Sequence, residues 1–197
     1  MKELRPPFPE LPDTQLRFIP DFISSGKADQ LLQEFLANFP WRQDSVRVFG
    51  KTYSQPRLTA LFGTEGSTYS YSGLTLEALA FPKPLMDLKT AVEQCSGRRY
   101  NSCLANLYRD GQDSNGWHAD NEKELGPNPC IASISLGAER WFHLKHRNHP
   151  QHAYKIALGP GSLLLMEGSM QHHWVHQIPK TRKPIGPRIN LTFRYLY

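Results

Sequence analysis

The second half of the chain consists of a succession of short β-type segments, and this pattern limits the folds open to it. Apolar or alternating segments bounded by Gly, Pro, Asn and Asp lie at about 101–108, 130–136, 140–146, 153–158, 161–166, 172–178 and 188–196. No helical periodicity separates them. Short strands with frequent turns and no helices between them predict a β-sandwich or jelly roll.

The first half predicts two helices ahead of these strands. One apolar stripe with helical spacing runs over about 24–39, and a second over about 84–95, ended by Gly97. We therefore predict a mainly β chain of the α+β class. At 197 residues it forms one domain, with an N-terminal extension over about 1–97 and a jelly-roll core over about 98–197.

Charge is unevenly distributed along the chain. Residues 1–95 carry 10 Lys/Arg and 11 Asp/Glu, a net charge of −1, whereas residues 96–197 carry 13 and 7, a net charge of +6. A positive face suits a polyanion such as nucleic acid, although many small enzymes are as basic. The 3 cysteines form no CxxC pair, and there is no signal segment and no apolar run of membrane-spanning length, so we expect an unexported protein.

A histidine and an aspartate two residues apart form the first candidate site. His118 and Asp120 lie in NLYRDGQDSNGWHAD, and at a strand edge their side chains would point the same way. A third ligand is needed, for which His176 is the candidate and His172 is left open as a substitute; the choice of His176 rests on the family resemblance given below. Two histidines and one carboxylate leave three positions open on an octahedral ion, as in non-haem Fe(II) oxygenases. A surface histidine beside a capping aspartate is the alternative interpretation.

The last segment alternates strictly between polar and apolar residues. One face carries Arg188, Asn190, Thr192 and Arg194, and the other carries Ile189, Leu191 and Phe193. Two inward arginines would be costly unless an anion met them, and a small dicarboxylate could do so. Asn106 and Tyr108 add a second polar pair at the same period on another predicted strand. A solvated strand with unrelated positive charges is the alternative.

Together these motifs resemble the AlkB-like iron(II) and 2-oxoglutarate dependent dioxygenases, which repair alkylated nucleic acid. NLY, WHAD, a later His and PRINLTFR occur in the family's order, and VFGK and PRLTA are similar to one branch of it. The resemblance runs from about Pro40 to Tyr197. It implies a double-stranded β-helix with a nucleotide-recognition lid from the first half of the chain. The iron ligands it implies are His118, Asp120 and His176, and the 2-oxoglutarate contacts are Asn106, Tyr108, Arg188, Asn190 and Arg194.

The resemblance also implies aromatic residues at the substrate. Phe49, in VFGK, is similar to the finger that fills the gap left by a flipped base, although the pattern alone fits a core residue equally well. Tyr69 and Tyr71 share a face, and the resemblance places the alkylated base between Tyr71 and His118. Two half-buried tyrosines bracing a hairpin are the alternative.

Two polar residues complete the implied substrate pocket. Arg57, in QPRLTA, lies where the family presents side chains to the substrate. Glu122 would accept a hydrogen bond from the exocyclic amine of the base, or is a surface acid. The histidines of KHRNHPQH and the preceding strand, His143, His146, His149 and His152, are expected in a mobile basic loop and are too scattered to suggest a second metal.

The function implied is oxidative demethylation of N1-methyladenine and N3-methylcytosine in DNA, releasing formaldehyde and succinate. Fe(II), 2-oxoglutarate and dioxygen are the expected cofactor and cosubstrates. RNA and the preference for single or double strands stay open, and we expect a monomer in the cytoplasm, or in the nucleus of a eukaryote, with no membrane association. The alternatives are a hydroxylase of a small molecule or protein with the same fold, and a nucleic-acid binding module without turnover.

Overall fold

The computed structural model describes residues 1–48, 51–64, 68–71 and 74–197. For residues 46–48, 51–52, 68–71 and 74–76 it describes the backbone only. In the described part of the chain, no helix is long and apolar enough to cross a membrane.

Fifteen strands and three helices are present in this part of the chain. The helices are α1 (Ser25–Asn38), α2 (Lys83–Ser96) and α3 (Met170–His173), with a 3₁₀ turn at Lys123–Leu125. The strands are β1 (Lys2–Glu3), β2 (Gln15–Ile19), β3 (Ser45–Val48), β4 (Lys51–Ser54), β5 (Leu58–Gly63), β6 (Thr68–Tyr71), β7 (Leu74–Glu77), β8 (Ser102–Tyr108), β9 (Asn115–His118), β10 (Ile131–Gly137), β11 (Arg140–His146), β12 (Ala153–Leu158), β13 (Leu163–Glu167), β14 (Trp174–Ile178) and β15 (Arg188–Arg194).

Two sheets make up the core. The larger has the strand order β2-β13-β10-β15-β8-β5 and is antiparallel throughout. The smaller has the order β1-β12-β11-β14-β9, and only its β1–β12 pair is parallel. Two separate hairpins, β3–β4 and β6–β7, come from the first half of the chain. This architecture confirms the predicted mainly β jelly roll with N-terminal helices.

Both faces of the larger sheet are covered, because the helices pack on one side and the smaller sheet on the other. Leu31 and Phe35 of α1 and Leu85 of α2 share a buried cluster with Ile189 and Leu191 of β15. A second cluster joins residues of the two sheets, among them Tyr108, Leu144, Leu164 and Trp174. Polar side chains of the central strands can therefore reach only the space between the sheets.

The alternation of polar and apolar residues in β15 follows from its position between the helices and the smaller sheet. Ile189, Leu191 and Phe193 are buried against the helices, while the intervening residues line a cavity between the sheets. On the neighbouring strand, Tyr108 and Asn106 lie opposite Arg188 and Asn190, and the same alternation places them in that cavity. The predicted division of β15 into an apolar, packed face and a polar face is therefore confirmed. The alternative of a solvent-exposed strand is wrong.

Most predicted element boundaries hold within two residues. The helices match their predicted spans, and Gly97 ends α2 with φ 70, in the left-handed conformation that glycine adopts without strain. The segment predicted as a strand over 172–178 begins differently. Its first residues form the helical turn α3, and the strand starts at Trp174.

Candidate metal centre

Three side chains converge at one end of the space between the sheets. His118 is the last residue of β9 and lies directly opposite His176 on β14. Asp120 lies two residues after the end of β9, and its carboxylate reaches the same place. One ligand atom from each residue lies within 4.8 Å of the others, and His176 Nε2 is 3.8 Å from Asp120 Oδ2. The distances suit a single ion bound by all three.

Neighbouring groups orient two of these ligands. His118 Nδ1 lies 2.7 Å from the Gly116 carbonyl, to which it must donate, so the lone pair of the neutral ring is on Nε2. The backbone N–H of Asp120 donates to Gln171 Oε1 at 2.9 Å. His176 Nδ1 is buried and has no hydrogen-bond partner among the described residues.

The electrostatics keep Asp120 ionised and His176 neutral, as metal ligation requires. Burial acts to raise the pKa of Asp120, but the charge and hydrogen bond of Arg194 together with the neighbouring His176 and His118 outweigh it and lower the pKa to about 2. Arg194 Nη2 donates to Asp120 Oδ1 at 2.7 Å. Burial lowers the pKa of His176 to about 3. Asp120 therefore presents an ionised carboxylate and His176 a neutral imidazole.

A cavity of ≈ 150 Å³ adjoins these residues and contains a buried cation. Arg188 is 1% exposed, and its Nη2 donates to Ser135 Oγ at 2.8 Å. Its Nε and Nη1 are buried and have no partner among the described residues. Burial lowers the pKa of Arg188 to about 10, so the guanidinium stays charged at neutral pH. A charged group with two unmet donors in a cavity fits a carboxylate ligand.

Arg188 and a second buried arginine both lie over the ring of Tyr108. The guanidinium carbon of Arg188 is 5.3 Å from the ring centroid, and that of Arg140 is 5.6 Å from it. Arg140 differs because it donates to the carbonyls of Asp110, Asp113 and Pro179 at 3.2, 2.9 and 2.6 Å. Arg140 is therefore satisfied by the protein itself, whereas Arg188 is not.

Amide and hydroxyl groups line the rest of the cavity. Asn190 Nδ2 donates to Ser133 Oγ at 2.7 Å, and Thr192 Oγ1 donates to Asn190 Oδ1 at 3.0 Å. On the β8 side, Arg57 Nε donates to Asn106 Oδ1 at 2.8 Å. These bonds hold the polar side chains in fixed positions around one compartment.

The family model described as the 2OG-Fe(II) oxygenase superfamily matches residues 15–194. The chain belongs to this superfamily. Iron(II) and 2-oxoglutarate are accordingly its cofactor and cosubstrate. The chain is 41% identical over 187 residues to the Alpha-ketoglutarate-dependent dioxygenase alkB homolog 3 of Bos taurus, in an alignment that covers 90% of this chain and 65% of the relative.

Two further comparisons agree with this membership. Within the superfamily the chain is AlkB-like, since it is 38% identical over 182 residues to the DNA oxidative demethylase ALKBH2 of Homo sapiens, in an alignment that covers 87% of this chain and 70% of that protein. The solved structure of OsALKBH1 superposes with a TM-score of 0.66 at 14% identity, over 94% of this chain and 99% of that one, and supports the fold. The chain spans about 65% of the length of the alkB homolog 3 relatives.

The structure describes some of the predicted substrate residues in full and others only in part or not at all. Arg57 and Glu122 both line the cavity that adjoins His118, Asp120 and His176, which we call the oxygenase cavity. Tyr69 and Tyr71 lie on β6, which pairs with β7, but their side chains are outside the described part. Phe49 lies outside the described residues altogether. Their roles remain predictions.

The structure corrects two expectations about the other histidines. His172 was left open as a substitute ligand on the strand of His176, but it lies in the helical turn α3. Its Nε2 contacts the Pro127 carbonyl instead of the metal candidates, so the substitution is excluded. The expectation of a mobile loop is wrong for His143 and His146, which are strand residues of β11.

The expectation that these histidines are too scattered to suggest a second metal is also wrong, because two of them lie close together beside Asp13. Ligand atoms of Asp13, His146 and His149 lie within 4.8 Å of one another. However, His146 Nδ1 accepts the backbone N–H groups of Asn148 and His149, so its Nε2 carries the proton and donates to Asp13 Oδ2 at 3.1 Å. The group is therefore a hydrogen-bonded brace between the loop and the N-terminal segment.

Sequence reasoning missed several residues that build the site. Ser133 and Ser135 orient Asn190 and Arg188, Gln171 holds Asp120, and Arg140 ties down the surrounding loops. One signal was available for Arg140, because in RWFHLKH it alternates with Phe142 and Leu144 on the buried face. An arginine in register with core residues indicates a structural or ligand contact. No local pattern distinguishes Gln171.

Proposed function

We propose that this chain is an iron(II)- and 2-oxoglutarate-dependent demethylase of N-alkylated bases in DNA, with N1-methyladenine and N3-methylcytosine as substrates. The observation that carries the proposal is the single cavity in which His118, Asp120 and His176 adjoin Arg188, whose Nε and Nη1 lack partners among the described residues. The relatives of about 40% identity support the substrate class, since ALKBH2 is named a DNA oxidative demethylase.

In this proposal His118, Asp120 and His176 hold iron(II) on one face, which leaves positions for the cosubstrate and dioxygen. Bound iron, with 2-oxoglutarate and dioxygen, supplies the oxidation of the methyl carbon. Arg194 stabilises the ionised Asp120 carboxylate, and burial keeps His176 neutral. A ligand set of this kind needs no additional protein nucleophile.

Arg188 binds the distal carboxylate of 2-oxoglutarate. Nε and Nη1 of its guanidinium are available as donors to a carboxylate, and Ser135 holds Nη2. The ring of Tyr108 packs against the guanidinium. Asn106 and Asn190, which lie opposite each other on β8 and β15, offer side-chain amides to the cosubstrate. Arg194 contributes through Asp120 and lies at the other end of the same strand face.

The alkylated base meets the cavity where Arg57 and Glu122 line it. A Glu122 carboxylate could accept a hydrogen bond from the exocyclic amine of adenine or cytosine. The apolar lining includes Leu104, Phe142 and Ile178 and restricts water around the methyl group. Residues of the first half of the chain, about 1–97, supply the nucleotide-recognition lid, with Tyr69, Tyr71 and Phe49 contacting the nucleic acid.

The reaction balances without further reagents. One oxygen atom of dioxygen converts 2-oxoglutarate to succinate and carbon dioxide, and the other converts the N-methyl group to N-hydroxymethyl. This hemiaminal loses formaldehyde, and the base recovers its original nitrogen. Alkylation of the pairing edge weakens base pairing and thereby lowers the cost of flipping the base out.

Mass spectrometry of single- and double-stranded oligonucleotides carrying one N1-methyladenine tests the proposal. With Fe(II), 2-oxoglutarate and air, we expect the loss of one methylene from the oligonucleotide, and no loss when any of the three is omitted. His176→Ala should abolish the loss and lower bound metal. His143→Ala is the matched control because its side chain lies on the same sheet on the opposite face from His176.

Two results would contradict the proposal. If His176→Ala kept full demethylation, the ligand assignment would be wrong. If the wild type formed succinate without changing either oligonucleotide, the substrate would be a small molecule or a protein instead. The ratio of the two oligonucleotide rates would also decide the strand preference. RNA as a substrate, the monomeric state and the cellular location remain predictions.

A further inference from the structure

A second cleft lies beside the oxygenase cavity and has no part in the chemistry described so far. It encloses ≈ 530 Å³. One wall is the end of α2 with Arg98 and Arg99, another is the loop 126–130, and the third is formed by Tyr195 and Tyr197 after β15. These elements come from three separate parts of the chain.

The cleft and the oxygenase cavity are lined by residues that are close in sequence. Arg194 lines the cavity and holds Asp120, while the next residue, Tyr195, lines the cleft. Glu122 lines the cavity and Leu125 the cleft, and three residues of chain span at most about 11 Å. A polymer whose reacting unit enters the cavity would therefore have its neighbouring units close to the cleft.

The cleft presents aromatic rings to solvent. Tyr195 is 41% and Tyr197 is 87% exposed, and their rings make an edge-to-face contact with centroids 5.0 Å apart. The backbone N–H of Tyr197 donates to the Glu124 carbonyl at 3.0 Å. A Cβ at Gly126 would lie 2.8 Å from the Tyr197 ring, so the glycine allows the ring to lie against the loop. Exposed rings held in this way form a stacking surface.

Positive charge lies next to these rings. Arg99 is exposed and has no ion-pair partner among the described residues. Arg98 Nε is 3.8 Å from Glu167 Oε1, but the Arg98 side chain is 63% exposed whereas that of Glu167 is 12% exposed. The guanidinium of Arg98 therefore keeps most of its surface available. Two accessible guanidinium groups beside two exposed tyrosine rings suit a phosphate next to a base.

We propose that this cleft binds the nucleic-acid strand next to the alkylated nucleotide, with a flanking base on Tyr195 and Tyr197 and its phosphate on Arg98 and Arg99. The proposal rests on the proposed function, because it takes the polymer in the cavity to be nucleic acid. It adds a subsite outside the oxygenase cavity and makes the affinity depend on the nucleotides that flank the lesion.

Binding of an unmodified, fluorescently labelled single-stranded oligonucleotide tests the stacking contact without requiring turnover. For the double variant Tyr195→Ala, Tyr197→Ala, fluorescence anisotropy should show Kd raised about fivefold or more for each base that loses its stack. Tyr195→Phe, Tyr197→Phe keeps the rings and should bind like the wild type. Both tyrosines are exposed, and thermal unfolding of each variant checks that the fold is retained.

The salt dependence of the same binding tests the arginines. For single strands, the slope of log K against log salt changes by about 0.7 for each phosphate that the protein no longer neutralises. Arg98→Gln, Arg99→Gln should therefore make the slope shallower by about 0.7 to 1.4. Lys2→Gln, Arg5→Gln is the matched control, since it removes the same charge at the edge of the smaller sheet and should leave the slope unchanged.

Kinetics separate the cleft from the oxygenase cavity. With a methylated oligonucleotide, the Tyr195→Ala, Tyr197→Ala variant should show a raised KM and an unchanged kcat. With the methylated mononucleotide, which cannot reach the cleft, KM and kcat should both match the wild type. Equal losses on both substrates would overturn the proposal, because the tyrosines would then act through the cavity.

The two proposals can fail separately. If the wild type demethylates the oligonucleotide but the cleft variants bind and react like it, the cleft proposal is overturned and the function stands. If the wild type demethylates nothing but binding still depends on the tyrosines and arginines, the function is wrong and the cleft proposal is supported.

Discussion

Replacing Arg188 with Met should leave the ligand-free protein about as stable as the wild type and remove its stabilisation by 2-oxoglutarate. The guanidinium is almost fully buried, yet Nε and Nη1 find no partner among the described residues. A group arranged in this way costs folding energy until its ligand arrives. Arg188 should therefore matter for cosubstrate binding and little for folding.

The magnitude follows from the contacts of Arg188. Each of its two unmet buried donors costs about 1–3 kcal/mol, which the methionine variant recovers. The variant loses one charged hydrogen bond, to Ser135, that contributes about 1.5–3 kcal/mol, and a contact with Tyr108 of about 0.5–2 kcal/mol. These contributions nearly cancel, and the free energy of unfolding should stay within about 2 kcal/mol of the wild type.

Arg140→Met is the matched control, because Arg140 lies over the same tyrosine ring but has its donors satisfied. Its loss leaves three backbone carbonyls without their donor, which costs at least about 3 kcal/mol. For a chain of this size, 1 kcal/mol shifts Tm by about 2–4 °C. Arg140→Met should therefore lower Tm by about 6 °C or more, with or without the cosubstrate.

Thermal unfolding with Mn(II) in place of Fe(II), under nitrogen, measures both effects without turnover. For the wild type, 2-oxoglutarate at about 100 times its Kd should add about 2.7 kcal/mol, or about 5–10 °C in Tm. Arg188→Met should show no such rise, and Arg140→Met should still show one from a lower starting Tm. If Arg188→Met were as destabilised as Arg140→Met without 2-oxoglutarate, Arg188 would be a structural residue and the anion-site reasoning would be refuted.

Three further predictions concern other parts of the chain. Phe49→Ala should lower demethylation of duplex oligonucleotides more than of single strands, and equal losses would exclude the finger role. Burial acts to raise the pKa of Asp113, but its bonds to Arg109 outweigh that and hold the pKa below its ordinary value. The pair therefore stabilises the folded protein at pH values above the pKa of Asp113 in the unfolded chain, about 3.9. This stabilisation is lost as the pH falls through the lower pKa of the folded protein. Asp113→Asn should therefore make the free energy of unfolding, measured by denaturant titration, depend less on pH in that window. Gly161→Ala should cost about 2–3 kcal/mol by chemical denaturation, because φ is +77 and a Cβ would meet a backbone carbonyl; Gly97→Ala, with φ +70 and open space, should cost about 1 kcal/mol.

The sequence by itself determined the features that depend on local periodicity and spacing. The period of two in β15 separates Arg188 and Asn190 from Ile189 and Leu191 whatever the sheet order, because successive side chains of a strand point to opposite faces. The spacing of two residues also predicted His118 and Asp120 as joint ligands, although Asp120 lies just after the end of β9. These patterns predicted the jelly roll and the composition of the site.

Only the tertiary structure decided between residues whose local patterns are equivalent. His172 and His176 each lie two residues from Trp174, on opposite sides of it. Only the helical turn α3 removes His172 from the strand face. Arg140 and Arg188 are both buried arginines beside Tyr108. What separates them is that loops 27 to 39 residues away in sequence bring carbonyls to Arg140 and none to Arg188, since long-range packing, which no local pattern encodes, places those loops.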